Sequence, residues 1–213
     1  MAEITGHFAH NEQSLRVVRY LEREGKGLNL TAAVEDGILN HTSPNRPFTL
    51  EGRIVHIADR IAYLCHDYDD SIRAGLLKPG ELPPEVVDGL GTEHSDMITG
   101  FVSDVITASA DLADIRLSER YDDIMNQFRR FMFRRIYHSE QLAKEREQAG
   151  FILRELFGHF LKNFEELPEE FRRHEERWGR EQTVTDYVAG LTDGYAVELF
   201  SRIFIPPVSG WYR

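Results

Sequence analysis

From Leu50 to Lys78 the chain reads "LEGRIVHIADRIAYLCHDYDDSIRAGLLK", with no proline inside it and prolines on both sides, in "HTSPNRPF" and "LKPGELPP". Ile54, Ile57, Ile61 and Leu64 recur at helical spacing, and Thr49 is placed to cap the start, so the pattern predicts one helix over 50–76. At 100° per residue, Asp59, Tyr63, Asp67 and Asp70 fall within about 80° of one another, with His56 and His66 bordering the sector. A helix that buries itself and still aims carboxylates, a phenol and imidazoles one way is either closely paired or part of a site. Both readings stay open on spacing alone. In one, Asp59 pairs with Arg53 or Arg60 and Tyr63 is ordinary core. In the other, Asp59 ligates a metal while Tyr63 and Asp67, one and two turns on, hold the hydroxyls of a sugar.

The rest of the chain is helix after helix. "HNEQSLRVVRYLEREGKG" carries Leu15, Val17, Val18 and Leu21 on a stripe, with Asn11 or His10 as capping residues and Gly25 as the stop. Thr31 caps a helix reaching about His41, and a third apolar pattern runs from Ser95 to about Ala113. Residues 119–164 read as one or two long helices, broken near His138–Ser139 or at Gly150. "ELPEEFRRHEERWGREQ" is a short charged helix, and "TVTDYVAGLTDGYAVELFSRIF" is a single last helix ending before Pro206-Pro207. No alternating strand pattern and no repeat is present, so the expected fold is an all-α bundle, a single helical domain over 1–213.

Composition narrows the function. The 213 residues are 41% hydrophobic, enough for one sizeable core, and carry a formal charge of −11, which argues against nucleic acid and anionic lipid as whole-chain partners. The lone Cys65 excludes an internal disulfide and reads as a buried thiol. No apolar run approaches a membrane span and no signal-peptide core opens the chain, so the expected location is cytoplasmic. His66-Asp67 are adjacent and point about 100° apart on a helix, no second His-Asp occurs, and HExxH and Cys-rich zinc spacings are absent. In "RRFMFRRIYHS", Arg130, Arg134 and Tyr137 lie near one another on a helix. That set suits phosphate binding with base or sugar stacking, and equally an amphipathic helix paired to an acidic surface.

Four stretches together, "FAHNEQSLRVVRYLEREGKGLNLT", "LEGRIVHIADRIAYLCHDYDDSIRAGLL", "FMFRRIY" and "TDYVAGLTDGYA", resemble the deoxyguanosinetriphosphate triphosphohydrolase-like family of the HD-domain, metal-dependent phosphohydrolase superfamily. The resemblance implies an all-α HD-domain-like bundle, with residues 1–80 the remainder of the HD core and 81–213 the C-terminal helical part. It implies hydrolysis of a deoxynucleoside triphosphate (dNTP) to deoxynucleoside and tripolyphosphate, with a divalent metal (Mn²⁺, Mg²⁺, Fe²⁺ or Co²⁺) as cofactor. By resemblance, Asp59 is the metal ligand furthest along the chain, Tyr63 packs against the sugar and Asp67 accepts from its 3′-hydroxyl. Arg134 and Tyr137 fall where phosphate- and sugar-contacting residues stand. The family's other ligands, a histidine and a His-Asp dyad, and its catalytic His and Glu precede the stretch like "FAHNEQSLRVV"; here nine residues precede His10.

The expectation is therefore an N-terminally truncated member with no catalytic residue of its own, inactive alone, with an exposed apolar groove along the helix at 50–76. The implied partners are a dNTP and either further copies in a homo-oligomer or a complementing N-terminal HD chain. The alternative is a non-catalytic helical module that binds a nucleotide or a protein and regulates or completes another HD-domain chain.

Overall fold

A computed structural model describes residues 1–42, 44–78, 80–111 and 113–206, and every regular element among them is helical. In chain order the helices begin with α1 (Ala2–Thr5), α2 (His10–Arg16), α3 (Glu22–Gly25), α4 (Ala32–Asn40), α5 (Leu50–Arg73) and α6 (Pro84–Leu90). They continue with α7 (His94–Ala108), α8 (Glu119–Met132), α9 (Glu140–Lys162) and α10 (Glu169–Arg172). The last three are α11 (Glu175–Trp178), α12 (Arg180–Ala189) and α13 (Asp193–Phe204). Two π-helical turns, Val17–Leu21 and Phe133–Tyr137, extend α2 and α8. The chain packs as two compact units: Leu30–Ala143, and Met1–Asn29 together with the residues from Lys144 on.

The unit Leu30–Ala143 is organised around α5. Thr49 Oγ1 accepts a hydrogen bond from the Gly52 N–H (3.0 Å), capping the helix as its sequence predicts. The buried side of α5, including Ile57, Ile61, Leu64 and Tyr68, packs with Val86, Phe101, Met125 and Phe128 of the following helices. Phe101, Phe128 and Met97 are wholly enclosed, and each such side chain contributes about 1.5–3 kcal/mol through burial. Cys65 lies in this core at 0% exposure, and burial pushes its thiol up to about 12. The third apolar pattern ends earlier than its sequence suggests. α7 stops at Ala108, where the Ser109 hydroxyl accepts from the Arg116 N–H (3.0 Å) and Asp104 binds Ser118, drawing the chain back. The break between α8 and α9 falls at His138–Ser139, and Gly150 is inside α9.

The other unit corrects three expectations. The N-cap of α2 is Ala9, with His10 and Asn11 already in the first turn. The stop after Leu21 comes at Glu22, whose extended backbone (ψ 154°) precedes left-handed Arg23 and Glu24, three residues before Gly25. The last helix is two: Gly190 ends α12, and Thr192 starts α13 by accepting from the Tyr195 N–H. The charged stretch forms α10 and α11. Leu156, Phe160, Val184 and Leu199 are central to this unit's core. No helix among the described residues is long and apolar enough to cross a membrane.

Candidate functional site

The sector of α5 that the sequence singles out faces away from the core. Asp59 and Tyr63 are exposed and Asp67 is half-buried. With a 1.5 Å rise per residue, the three groups are strung along about 12 Å of one helix face. The two arginines nearest Asp59 in sequence are engaged elsewhere: Arg53 pairs with Asp114 (3.0 Å) and Arg60 approaches Asp122 (4.0 Å). Asp59 itself makes no hydrogen bond or ion pair among the described residues. His56 binds the Asn40 carbonyl (2.9 Å) and is thereby taken out of the sector.

A second element completes the arrangement. The chain from Phe133 to Tyr137 continues α8 as a π turn, which carries one residue more per turn and so re-aims the side chains that follow. Tyr137 projects onto α5, where its hydroxyl donates to Asp67 Oδ2 at 2.6 Å. Its ring stacks on Tyr63, with centroids 5.4 Å apart and planes 20° from parallel. Phe133 meets Tyr137 edge-on at 5.0 Å. Burial, and then the hydrogen bond to Asp67, raise the Tyr137 phenol well above its ordinary range. Burial raises that of Tyr63 as well, partly offset by the Tyr137 hydroxyl. Both rings are therefore neutral at working pH, and Asp67 keeps one carboxylate oxygen for another donor.

Next to this stack lies a cleft of about 510 Å³ along α8, lined by Asn126, Arg129, Arg130, Phe133, Arg134 and His138. Arg129, Arg130 and Arg134 make no ion pair among the described residues; Arg129 instead lies over the Phe133 ring at 5.1 Å. Three guanidinium groups with no ion-pair partner lining one cleft, on a chain of net charge −11, concentrate positive charge of the kind that suits an anion. Tyr63, Asp67 and Tyr137 are thus brought together, and Arg134 lines the adjoining cleft. Arg129, Asn126, Phe133 and His138 escape sequence reasoning; the rows 129/133/137 and 126/130/134/138, each at i, i+4 spacing, are the signal that could have found them.

On the opposite flank of α5, Ile54, Ala58 and Ala62 with Ile98, Val102 and Ile106 of α7 line an apolar groove of about 610 Å³. Ile106 is 67% exposed and Ile54 51%. Among the described residues no three His, Cys, Asp or Glu side chains converge as a metal site. The donors present do not fit a bound metal by themselves: Asp59 is one carboxylate.

Residues 115–202 match the model of the phosphohydrolase-associated domain. The deoxyguanosinetriphosphate triphosphohydrolase-like protein of Caldanaerobacter subterraneus subsp. tengcongensis is 43% identical over 99% of this chain and 61% of its own length. Those of Clostridium tetani and Clostridium perfringens (strain 13) are 40% and 42% identical over 94% and 95% of the chain, covering 61% and 62% of their lengths. The chain spans about three-fifths of the length of the curated relatives it matches. Over that shared length, with the α5 and α8 residues just described inside it, the chain belongs to the family of deoxyguanosinetriphosphate triphosphohydrolase-like proteins.

Proposed function

We propose that the unit Leu30–Ala143 carries the sugar- and phosphate-binding half of a dNTP triphosphohydrolase site. The observation that carries this reading is the Tyr137–Asp67 hydrogen bond, stacked on Tyr63 beside three unpaired arginines. The stacked phenols form a flat wall for a deoxyribose. The free oxygen of Asp67 accepts from the 3′-hydroxyl. Arg129, Arg130 and Arg134 hold the triphosphate.

Asp59 would contribute one ligand to a divalent cation whose remaining ligands are supplied by other residues, on another chain or elsewhere in a longer one. The chemistry such a cation would supply is activation of water and screening of phosphate charge. A single exposed carboxylate retains it weakly, so this chain alone binds nucleotide without turning it over. The apolar groove beside Asp59 supports the same division, because burying it needs a further helix carrying an apolar face.

Calorimetric titration with dGTP, GTP and 3′-deoxy-dGTP tests the reading. dGTP should bind, GTP and the 3′-deoxy analogue should bind at least about tenfold more weakly, and Asp67→Ala should abolish the difference between dGTP and the 3′-deoxy analogue. Equal binding of all three would remove the sugar assignment. Release of tripolyphosphate from dGTP and Mn²⁺ by this chain alone would overturn the half-site reading.

A further inference from the structure

Away from that stack, His66 on α5 and His94, the first residue of α7, face each other across the two helices. His94 Nε2 and His66 Nδ1 are 3.1 Å apart and the ring centroids 4.6 Å apart; His66 is exposed and His94 half-buried. Neither ring has another hydrogen-bond partner among the described residues. Two imidazole nitrogens that share a hydrogen bond hold one proton between two lone pairs. The same spacing suits a shared metal ion. With metal–nitrogen bonds of about 2.05 Å, a 3.1 Å separation subtends an angle of about 98°, between the octahedral and tetrahedral values.

We propose that His66 and His94 form a two-histidine site for a divalent d-block cation of the imidazole-preferring class, such as Zn²⁺, Ni²⁺ or Cu²⁺. Binding moves the bridging proton to the outer nitrogen of the donor ring, frees both facing lone pairs, and leaves water in the remaining coordination positions. The positive end of α7 opposes a cation at His94, so the site rests on its two metal–nitrogen bonds. It shares no donor with Asp59 and goes beyond the nucleotide reading; it joins the middle of α5 to the start of α7.

Zn²⁺ alone, titrated into the 213-residue protein and followed by calorimetry and by histidine side-chain NMR, tests it. The first equivalent should shift the His66 and His94 ring signals together. It should be lost in His66→Gln and equally in His94→Gln, and kept in Asp59→Ala. Circular dichroism checks that the substitutions leave the fold intact, and dGTP titration of the same variants separates loss of this site from failure of the nucleotide assignment. A first equivalent that shifts other histidines, or that survives either glutamine variant, overturns the proposal.

Discussion

Two aspartates, one in each unit, show how differently the same carboxylate is used. Asp186 is 2% exposed and fully occupied: Arg16 donates to both its oxygens at 2.7 Å through Nε and Nη2, and Gln13 (3.0 Å) and Gln182 (3.1 Å) add to Oδ1. The Arg16 guanidinium is itself covered by the Trp178 ring at 4.4 Å. Asp67 accepts one side-chain hydrogen bond and is half-buried. A buried charge with both oxygens hydrogen-bonded and 2% exposure is architecture, because it is closed off from any ligand. A partly answered charge still has an oxygen free to accept another hydrogen bond, which is what the proposed sugar-binding role of Asp67 requires.

Removing each carboxylate should separate the two roles. Asp186→Ala strands a buried guanidinium and should cost about 3–5 kcal/mol in urea unfolding, the largest single-residue effect expected in the molecule. A loss below about 1 kcal/mol would show that Arg16 finds water instead. Asp67→Ala should cost only about 0.5–1.5 kcal/mol by the same titration, yet remove the preference for a 3′-hydroxyl. Tyr137→Phe keeps the stack and deletes one donor, so stability should fall by about 1 kcal/mol.

The smallest effect is a pH dependence. Tyr137, Tyr63, Tyr68 and Tyr187 are all raised from 10.0, chiefly by burial, and Tyr187 reaches about 12. The folded protein holds these protons more tightly than the unfolded chain does. Their contribution is therefore complete below pH 10 and is lost as pH rises through the folded values. Denaturation at about pH 11 should release phenolate absorbance as a step; a smooth titration with no step would contradict it.

Much of this was legible in advance. The wheel of α5 put Asp59, Tyr63 and Asp67 on one face, and Thr31, Thr49 and the all-helical fold followed from local spacing. The π turn did not, since a 3.6-residue period carries no mark of one extra residue between Phe133 and Tyr137. The break at Gly190–Thr192 was hidden because the apolar pattern runs on across it, and only the Thr192 cap declares a new helix. Arg16 and Asp186 meet across 170 residues of sequence, a distance at which local periodicity says nothing. That Arg53 and Arg60 turn to Asp114 and Asp122 and not to Asp59 could not be read from local spacing, because both partners lie far along the chain.

Cys65 has a use that follows from its position. It is the chain's single cysteine, wholly enclosed beneath the face that carries Tyr63 and Asp67, with its thiolate suppressed by burial. A thiol reagent can reach it only when the helices around α5 part. Its labelling rate is then a clock on how often that core opens, read at one atom without any engineered probe. Whatever seats itself on the exposed side of α5, nucleotide or helix, should slow that clock.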